Sequence, residues 1–296
     1  MQLKNNDFLF TSKKWHRLIN QLYRINIQYF SKDNYEIPFI EHKDFISRRS
    51  ISLPNTDFSY FSLNDNINLN LSKYDFEQNT IKVLSKNNLN YEGKFSNYYY
   101  LEIDNYENFL KNLNSNFKRN LRKDVCVKNE FKLKKFYKLY FNTKIKYFSQ
   151  MPYPYKYFLL LKKIFKKNLI LLFSYHQNKM LGSSLFLDYN NSLYYIAGAC
   201  NKSDLPCHHK IFSEIVKISI DRQIKYIFLG TDADSFKKSM GASKLILNNI
   251  NIFNLKKKKI QFRRKFLQII IQIYIKTLLK FGFGKKYYNK MYNYCK

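Results

Sequence analysis

The sequence predicts a mixed α/β fold, with central sheets of mixed strand direction flanked by helices. Three observations carry that expectation. Apolar residues recur with the two-residue period of strands in some stretches and with the 3.6-residue period of helices in others. The strand-like stretches gather into a meander over 169–199, which a helix, a strand, a short helix and a last strand follow. Hydrophobic residues fill 45% of the 296 positions and aromatic residues 18%, which excludes disorder as a general description. Glycine is scarce: seven scattered glycines supply neither G-x-G-x-x-G nor G-x-x-x-x-G-K-[ST], so dinucleotide-binding and P-loop folds are excluded.

Taken in order, residues 8–30 read as a short extended start and a helix, with Trp15, Leu18, Ile19, Leu22 and Tyr23 on one face and Thr11 or Ser12 as its cap. Short strand-like pieces follow at 37–40, 48–54 and 58–63, broken by polar turns. A second helix is expected over 74–84 and a strand over 98–103. Asp104 then caps a helix carrying Tyr106, Phe109, Leu110 and Leu113, which leads into the basic stretch 117–123. Helical patterning returns over 131–148 and 155–165. The meander consists of strands at 169–175, 181–189 and 192–199, with a polar tip at 176–180 and a turn at Asn190-Asn191. A loop at 201–209 precedes an amphipathic helix with Ile211, Ile215 and Ile218 inward and Glu214 and Lys217 outward. The strand 226–230, the segment 231–242 and a strand near 246–253 complete the pattern.

Lys+Arg 52 against Asp+Glu 21 gives a net charge of +31, enough to attract polyanions such as RNA, phosphorylated precursors or an anionic membrane face. The excess of Asn, Lys, Ile, Tyr and Phe also fits an AT-rich coding bias, which raises Lys without functional demand. Cys126, Cys200, Cys207 and Cys295 are too few and too irregular for a disulfide framework, which points to a reducing compartment. Cys200, Cys207, His208 and His209 form a C-x6-C-H-H cluster, but compact zinc motifs keep two to four residues between cysteines and add a second half, so no metal is expected. The N-terminal stretch lacks the apolar run of a signal peptide, and no segment reaches the roughly 18 to 20 apolar residues of a membrane span. A cytoplasmic location is expected.

The element order of the second half is that of a GNAT-type acyltransferase core, and its motifs resemble the FemAB-like branch of that superfamily, including the BioF2-like acetyltransferase domain. The segment 101–123, LEIDNYENFLKNLNSNFKRNLRK, is similar to the family's strand, helix and basic Ser-x-x-x-Arg-x-x-x-Arg stretch. The meander is similar to its central hairpins. Phe236-Lys237-Lys238-Ser239-Met240-Gly241-Ala242 resembles its Phe-Lys-x-x-Phe-Gly ending, and 8–63 resembles its first, degenerate half. The resemblance implies a tandem GNAT-like fold with an N-terminal half over 1–97 and a C-terminal GNAT-like domain over 98–255, and the residue pattern adds a basic amphipathic helix over 256–296. Two departures stand out. The loop at 201–209 has no glycine and so lacks the ordinary pyrophosphate-wrapping Arg/Gln-x-x-Gly-x-Gly/Ala pattern. Where many relatives have Asp-x-Gly-Arg, this chain has Phe228-Leu229-Gly230-Thr231, with Asp232 and Asp234 as the acids available to replace the lost one.

The implied activity is transfer of an acyl or aminoacyl group to an amine or hydroxyl of a cell-envelope (peptidoglycan or polysaccharide) precursor. The donor would be acyl-CoA or aminoacyl-tRNA, with no tightly bound cofactor. The resemblance places Lys237 as the oxyanion-stabilising lysine, Phe236 under the acyl donor, and Asp57 as a proton acceptor or substrate anchor. Arg119 and Arg122, three residues apart, fit a phosphate clamp; Tyr194 and Asp232 fit the wall of the groove between the halves. Read as residues alone, Lys237 also fits a surface lysine, Asp57 a turn former, Tyr194 a core ring and the arginines a solvated helix face. Over 262–286, Lys265, Gln268, Gln272, Lys276 and Lys280 make one polar stripe beside a broad apolar face, which fits a helix lying on an anionic membrane as well as one completing the core. A non-catalytic polyanion- or membrane-binding protein on the same scaffold is the alternative from another class.

Overall fold

The structure, a computed structural model, describes residues 8–32, 35–43, 48–51, 56–58, 60–62, 78–86, 93–148, 152–201 and 205–253. The expected C-terminal helix at 262–286 lies outside these residues.

Helix α1 (Lys13–Tyr23) starts as expected, with the Ser12 side chain accepting from the Trp15 amide. It stops at Arg24, which adopts a left-handed conformation at φ 54° with no glycine or asparagine to announce it. The chain then turns into β1 (Ile27–Lys32), a strand that the helical reading of this stretch does not distinguish, and β2 (Tyr35–Lys43). Strands β3 (Arg48–Ile51) and β4 (Tyr60–Ser62) fall where expected. The helix expected over 74–84 is corrected: Gln78–Ser85 is strand β5, bordered by three strands, and its β-branched Ile81 and Val83 suit that pleated setting.

Strand β6 (Gly93–Glu102) leads into two helices rather than one, α2 (Tyr106–Asn112) and α3 (Ser115–Leu121). Asn105, not Asp104, caps α2; the Asp104 carboxylate instead accepts from the side chains of Asn105 and Asn108. Asn114 caps α3 through its side chain. A short edge strand, β7 (Cys126–Asn129), is too polar to show in the sequence pattern. Helices α4 (Leu133–Phe148) and α5 (Tyr155–Phe165), the meander β8 (Leu169–His176), β9 (Lys179–Tyr189) and β10 (Ser192–Cys200), and helix α6 (Cys207–Asp221) follow. The expected loop at 201–209 is therefore shorter, because Cys207, His208 and His209 already belong to α6. Strand β11 (Tyr226–Gly230), the short α7 (Asp234–Ser239) and β12 (Ser243–Phe253) close the described chain.

All twelve strands join one sheet in the order β1-β2-β3-β5-β12-β6-β11-β10-β9-β8-β7, with β4 also on β5. The boundary expected between residues 97 and 98 falls inside β6, and β12 lies between β5 and β6. Both faces of the sheet are covered. Leu169, Leu171 and Phe173 of β8 face one core with Trp15, Phe136, Tyr140 and Phe158 from α1, α4 and α5. The alternate residues Ile170 and Leu172 face a second core with Phe109, Phe117, Ile211 and Ile215 from α2, α3 and α6. This two-sided burial is why 169–173 reads as an unbroken apolar run rather than an alternating one. Trp15 is fully buried, and its indole N–H donates to Thr56 Oγ1 at 2.9 Å, tying α1 to the segment that carries Asp57. Among the described residues, no helix is long and apolar enough to cross a membrane.

Candidate functional site

Most neighbours in the sheet are antiparallel. Strands β10 and β11 run parallel, and their pairing is confined to Ser192–Tyr226, Leu193–Ile227 and Tyr194–Phe228. Beyond that point β10 bulges between Tyr195 and Ala197 and runs on to Cys200, while β11 shifts register on β6 and ends at Gly230. Two parallel strands that part at their carboxyl ends leave a crevice in the sheet, the place where open α/β sheets bind ligands. The rings of Tyr194 and Phe228 stack at 4.9 Å on the last paired rung and are buried in the core beneath the point where the strands part.

Asp57 approaches the rim from the first part of the chain. Tyr98 Oη donates to its Oδ2 at 3.0 Å. Gly230, at φ +77°, takes a left-handed turn that glycine adopts without strain, and a Cβ there would lie 3.7 Å from the same Asp57 oxygen. Burial pushes the Asp57 carboxyl above the ordinary carboxylate range, against the Tyr98 hydrogen bond and the charges of Lys82 and Lys237, which favour ionisation. Lys82 donates to the Thr56 carbonyl at 3.0 Å, and its own pKa is lowered by burial and pulled back up by Asp57.

Lys237 comes from the other end of the chain. The turn into α7 passes through Ala233, which holds a left-handed φ of 61°, and Lys237 in this short helix is buried. Its side chain is only 6% exposed, and Nζ sits 5.6 Å from the centre of the Tyr99 ring. Among the described residues no carboxylate lies within ion-pair distance of that ammonium. Burial lowers its pKa to about 8, while the more distant charges of Asp232, Asp57 and Asp234 hold it up. Asp232 is exposed at the rim. Asp234 is engaged by Asn97 Nδ2 at 3.1 Å, which keeps its carboxyl below the usual range.

The residues singled out from the sequence thus separate. Asp57, Lys237 and Asp232 share one electrostatic neighbourhood, although Lys237 and Asp232 follow Asp57 by 180 and 175 positions in the chain. Tyr194 is fully buried, and its hydroxyl accepts from the Leu9 amide at 3.0 Å, so it is a packing residue under the crevice. Phe236 points away from Lys237, into a cluster with Phe117, Phe212 and His209. Arg119 and Arg122 ride on α3 and its C-cap; Arg119 is exposed and donates to Asn116 at 2.8 Å. Lys82 and Tyr98 were not legible as site residues: Lys82 is one lysine among many, and the run Tyr98-Tyr99-Tyr100 does not say which ring meets a carboxylate.

No family model matches the chain, and no curated protein sequence matches it. Solved structures do. FemX superposes with a TM-score of 0.58 at 10% identity, over 84% of this chain and 96% of that one. The C-terminal domain (DUF2156) of an Agrobacterium fabrum protein assigned as a lysylphosphatidylglycerol synthetase superposes with a TM-score of 0.50 at 7% identity, over 91% of this chain and 92% of that one. At such identities the likeness is one of fold, and it extends over nearly the whole of both solved chains. The chain therefore shares the fold of FemX, a mixed α/β sheet flanked by helices, over most of its length.

Proposed function

We propose that this chain is an acyltransferase that moves an acyl or aminoacyl group onto an amine or hydroxyl of a cell-envelope precursor, with acyl-CoA or aminoacyl-tRNA as donor. The observation that carries the reading is the pairing at one crevice of a buried lysine, without an ion-pair partner among the described residues, and a carboxyl whose pKa burial has raised. Placing an ammonium in such a site is costly unless charge develops beside it, and acyl transfer develops a negative charge on the carbonyl oxygen.

In this mechanism the acceptor nitrogen or oxygen attacks the acyl carbonyl carbon and the new C–N or C–O bond forms. Asp57 takes the proton from the attacking group, a task for which a raised carboxyl pKa suits it. The Lys237 ammonium, still mostly protonated at neutral pH with a pKa of about 8, faces the oxyanion. Collapse breaks the C–S bond of a thioester or the C–O bond of an aminoacyl ester, and the leaving group takes up a proton. Tyr98 holds Asp57 in place, and Lys82 keeps its charge close to that carboxylate. The net charge of +31 favours a polyanionic donor, and the glycine-free loop before α6 disfavours the ordinary pyrophosphate grip on CoA.

The test is a thermal-shift titration of the purified chain with acetyl-CoA, charged tRNA and uncharged tRNA at low and moderate salt, paired with Lys237→Ala. Salt-resistant stabilisation by CoA, or by charged but not uncharged tRNA, together with turnover that Lys237→Ala abolishes in a folded protein, supports the proposal. Shifts that vanish with salt and ignore Lys237→Ala would replace it with a polyanion-binding role.

A further inference from the structure

A second group of reactive side chains lies where β10 ends and α6 begins, and acyl transfer makes no use of it. Cys200 is the last residue of β10; Cys207 and His208 are the first two of α6. The strand-to-helix reversal brings a ligand atom of each, the two Sγ and one ring nitrogen of His208, to within 4.8 Å of one another. Cys207 is buried, and Cys200 and His208 are partly exposed.

The surroundings hold this group in place. Thr143 Oγ1 on α4 donates to the Cys200 carbonyl at 2.9 Å and accepts from the Cys200 amide at 3.2 Å, fixing the strand end on both sides. Ser184 Oγ lies 3.4 Å from His208 Nδ1 and steadies the ring from outside, as outer partners of ligating histidines do. Two of the chain's seven glycines clear the sheet beneath the group. A Cβ at Gly182 would sit 2.9 Å from Cys207 Sγ, and one at Gly198 would strike the Tyr195 hydroxyl and come within 3.3 Å of His208 Cε1. Side chains at either position would push the thiol or the imidazole out of the cluster.

We propose that Cys200, Cys207 and His208 bind a zinc ion. Two thiolates and an imidazole suit a borderline-soft divalent ion and not a hard one such as magnesium or calcium. With Zn–S near 2.3 Å and Zn–N near 2.0 Å, tetrahedral ligand atoms stand roughly 3.5 to 3.8 Å apart, so the three need to draw in by about 1 Å. Three protein ligands leave the fourth position to water or to an incoming group. The six residues between the cysteines look unlike a compact zinc motif only as a linear spacing; the reversal at the end of β10 supplies the convergence that short spacing supplies elsewhere. The ion ties the end of β10 to the first turn of α6, at the side of the crevice opposite Asp57 in the sheet order.

The experiment is metal analysis of the full chain purified without chelator, then removal of metal and titration of the reduced protein with cobalt(II), followed by absorption and far-UV circular dichroism. The expected result is one zinc per chain and one equivalent of cobalt, with thiolate-to-cobalt charge transfer and the strong visible bands of a tetrahedral site. Cys200→Ser and Cys207→Ser each lower the charge-transfer intensity by about half and weaken binding at least about 100-fold, since loss of an outer partner alone costs 10- to 100-fold. Cys126→Ser, on exposed β7, and His209→Ala, whose ring meets Asn120, leave the spectrum unchanged. Folded wild-type protein with neither zinc nor cobalt bands overturns the proposal. So do bands that survive Cys200→Ser, and so does a Cys200–Cys207 disulfide in protein that still takes no metal once reduced.

Discussion

Lys237→Met gives the most direct test of the buried ammonium. Methionine keeps most of the unbranched stem and its packing against Tyr99, and it removes the charge. Burial lowers the Lys237 pKa from 10.5 to about 8. At ~1.4 kcal/mol per unit, holding the protonated form in the fold costs about 3 kcal/mol. The folded pKa lies below the unfolded one, so the unfolded chain binds more protons between the two values, and stability rises with pH across that window. Below pH 8 the penalty is present in full; above 10.5 it is gone. Lys237→Met is therefore expected to be about 3 kcal/mol more stable than the wild type at pH 7, with the difference shrinking as pH climbs from 8 towards 10.5. Urea unfolding of both proteins at pH 7, 9 and 10.5 measures it, and subtracting the two curves removes the titration of other lysines and tyrosines. Transfer activity is lost over the same substitution. A variant no more stable than the wild type at pH 7, or a difference that does not change with pH, would refute the claim that this ammonium is desolvated.

Three further outcomes follow from the same geometry. Asp57→Asn removes a charge that raises the Lys237 pKa, so the alkaline limb of the Lys237-dependent pH–rate profile moves below pH 8, and turnover falls by about 100-fold or more with loss of the base. Tyr98→Phe takes away a hydrogen bond that favours the ionised Asp57, so the carboxyl pKa rises further and the acid limb of the same profile moves up in pH while the alkaline limb stays. Trp15→Ala leaves a large cavity between α1 and α5 and removes the indole hydrogen bond to Thr56, at a cost of about 3 to 5 kcal/mol in chemical unfolding; a loss below 1 kcal/mol would mean that the site closes over the gap.

The sequence made the second half of the fold legible because its elements are strongly periodic and carry local stop signals. Asn190-Asn191 turns the meander, and both residues take positive φ there. The helix carrying Ile211, Ile215 and Ile218 shows a clean apolar face. The first half was harder for stated reasons. Arg24 ends α1 in a left-handed conformation that its residue type does not signal, and β5 buries Ile81, Val83 and Ser85 on one face and Leu84 on the other, which blurs the alternation that would have marked it as a strand. At the site, the resemblance picked out Asp57 and Lys237 as a pair. Local pattern left Tyr194 open between groove and core, because an aromatic residue looks the same whether it lines a crevice or packs beneath one. Linear spacing set the thiol cluster aside as a ligand set, whereas the structure brings its side chains together through a chain reversal.

The place of β12 has a consequence for how the protein is made. This strand is the last described segment to leave the ribosome, yet it lies between β5 and β6, bonded to Ile81 and its neighbours on one side and to Tyr98 and its neighbours on the other. Until residues 243–253 emerge, the nascent chain holds two unsatisfied strand edges facing an empty slot, the kind of surface on which foreign strands add. Assembly of the crevice, with Asp57 carried on one side of that slot and Lys237 shortly before β12, therefore waits for β12. A chain released before residue 243 would be a seed for aggregation and not a smaller working protein.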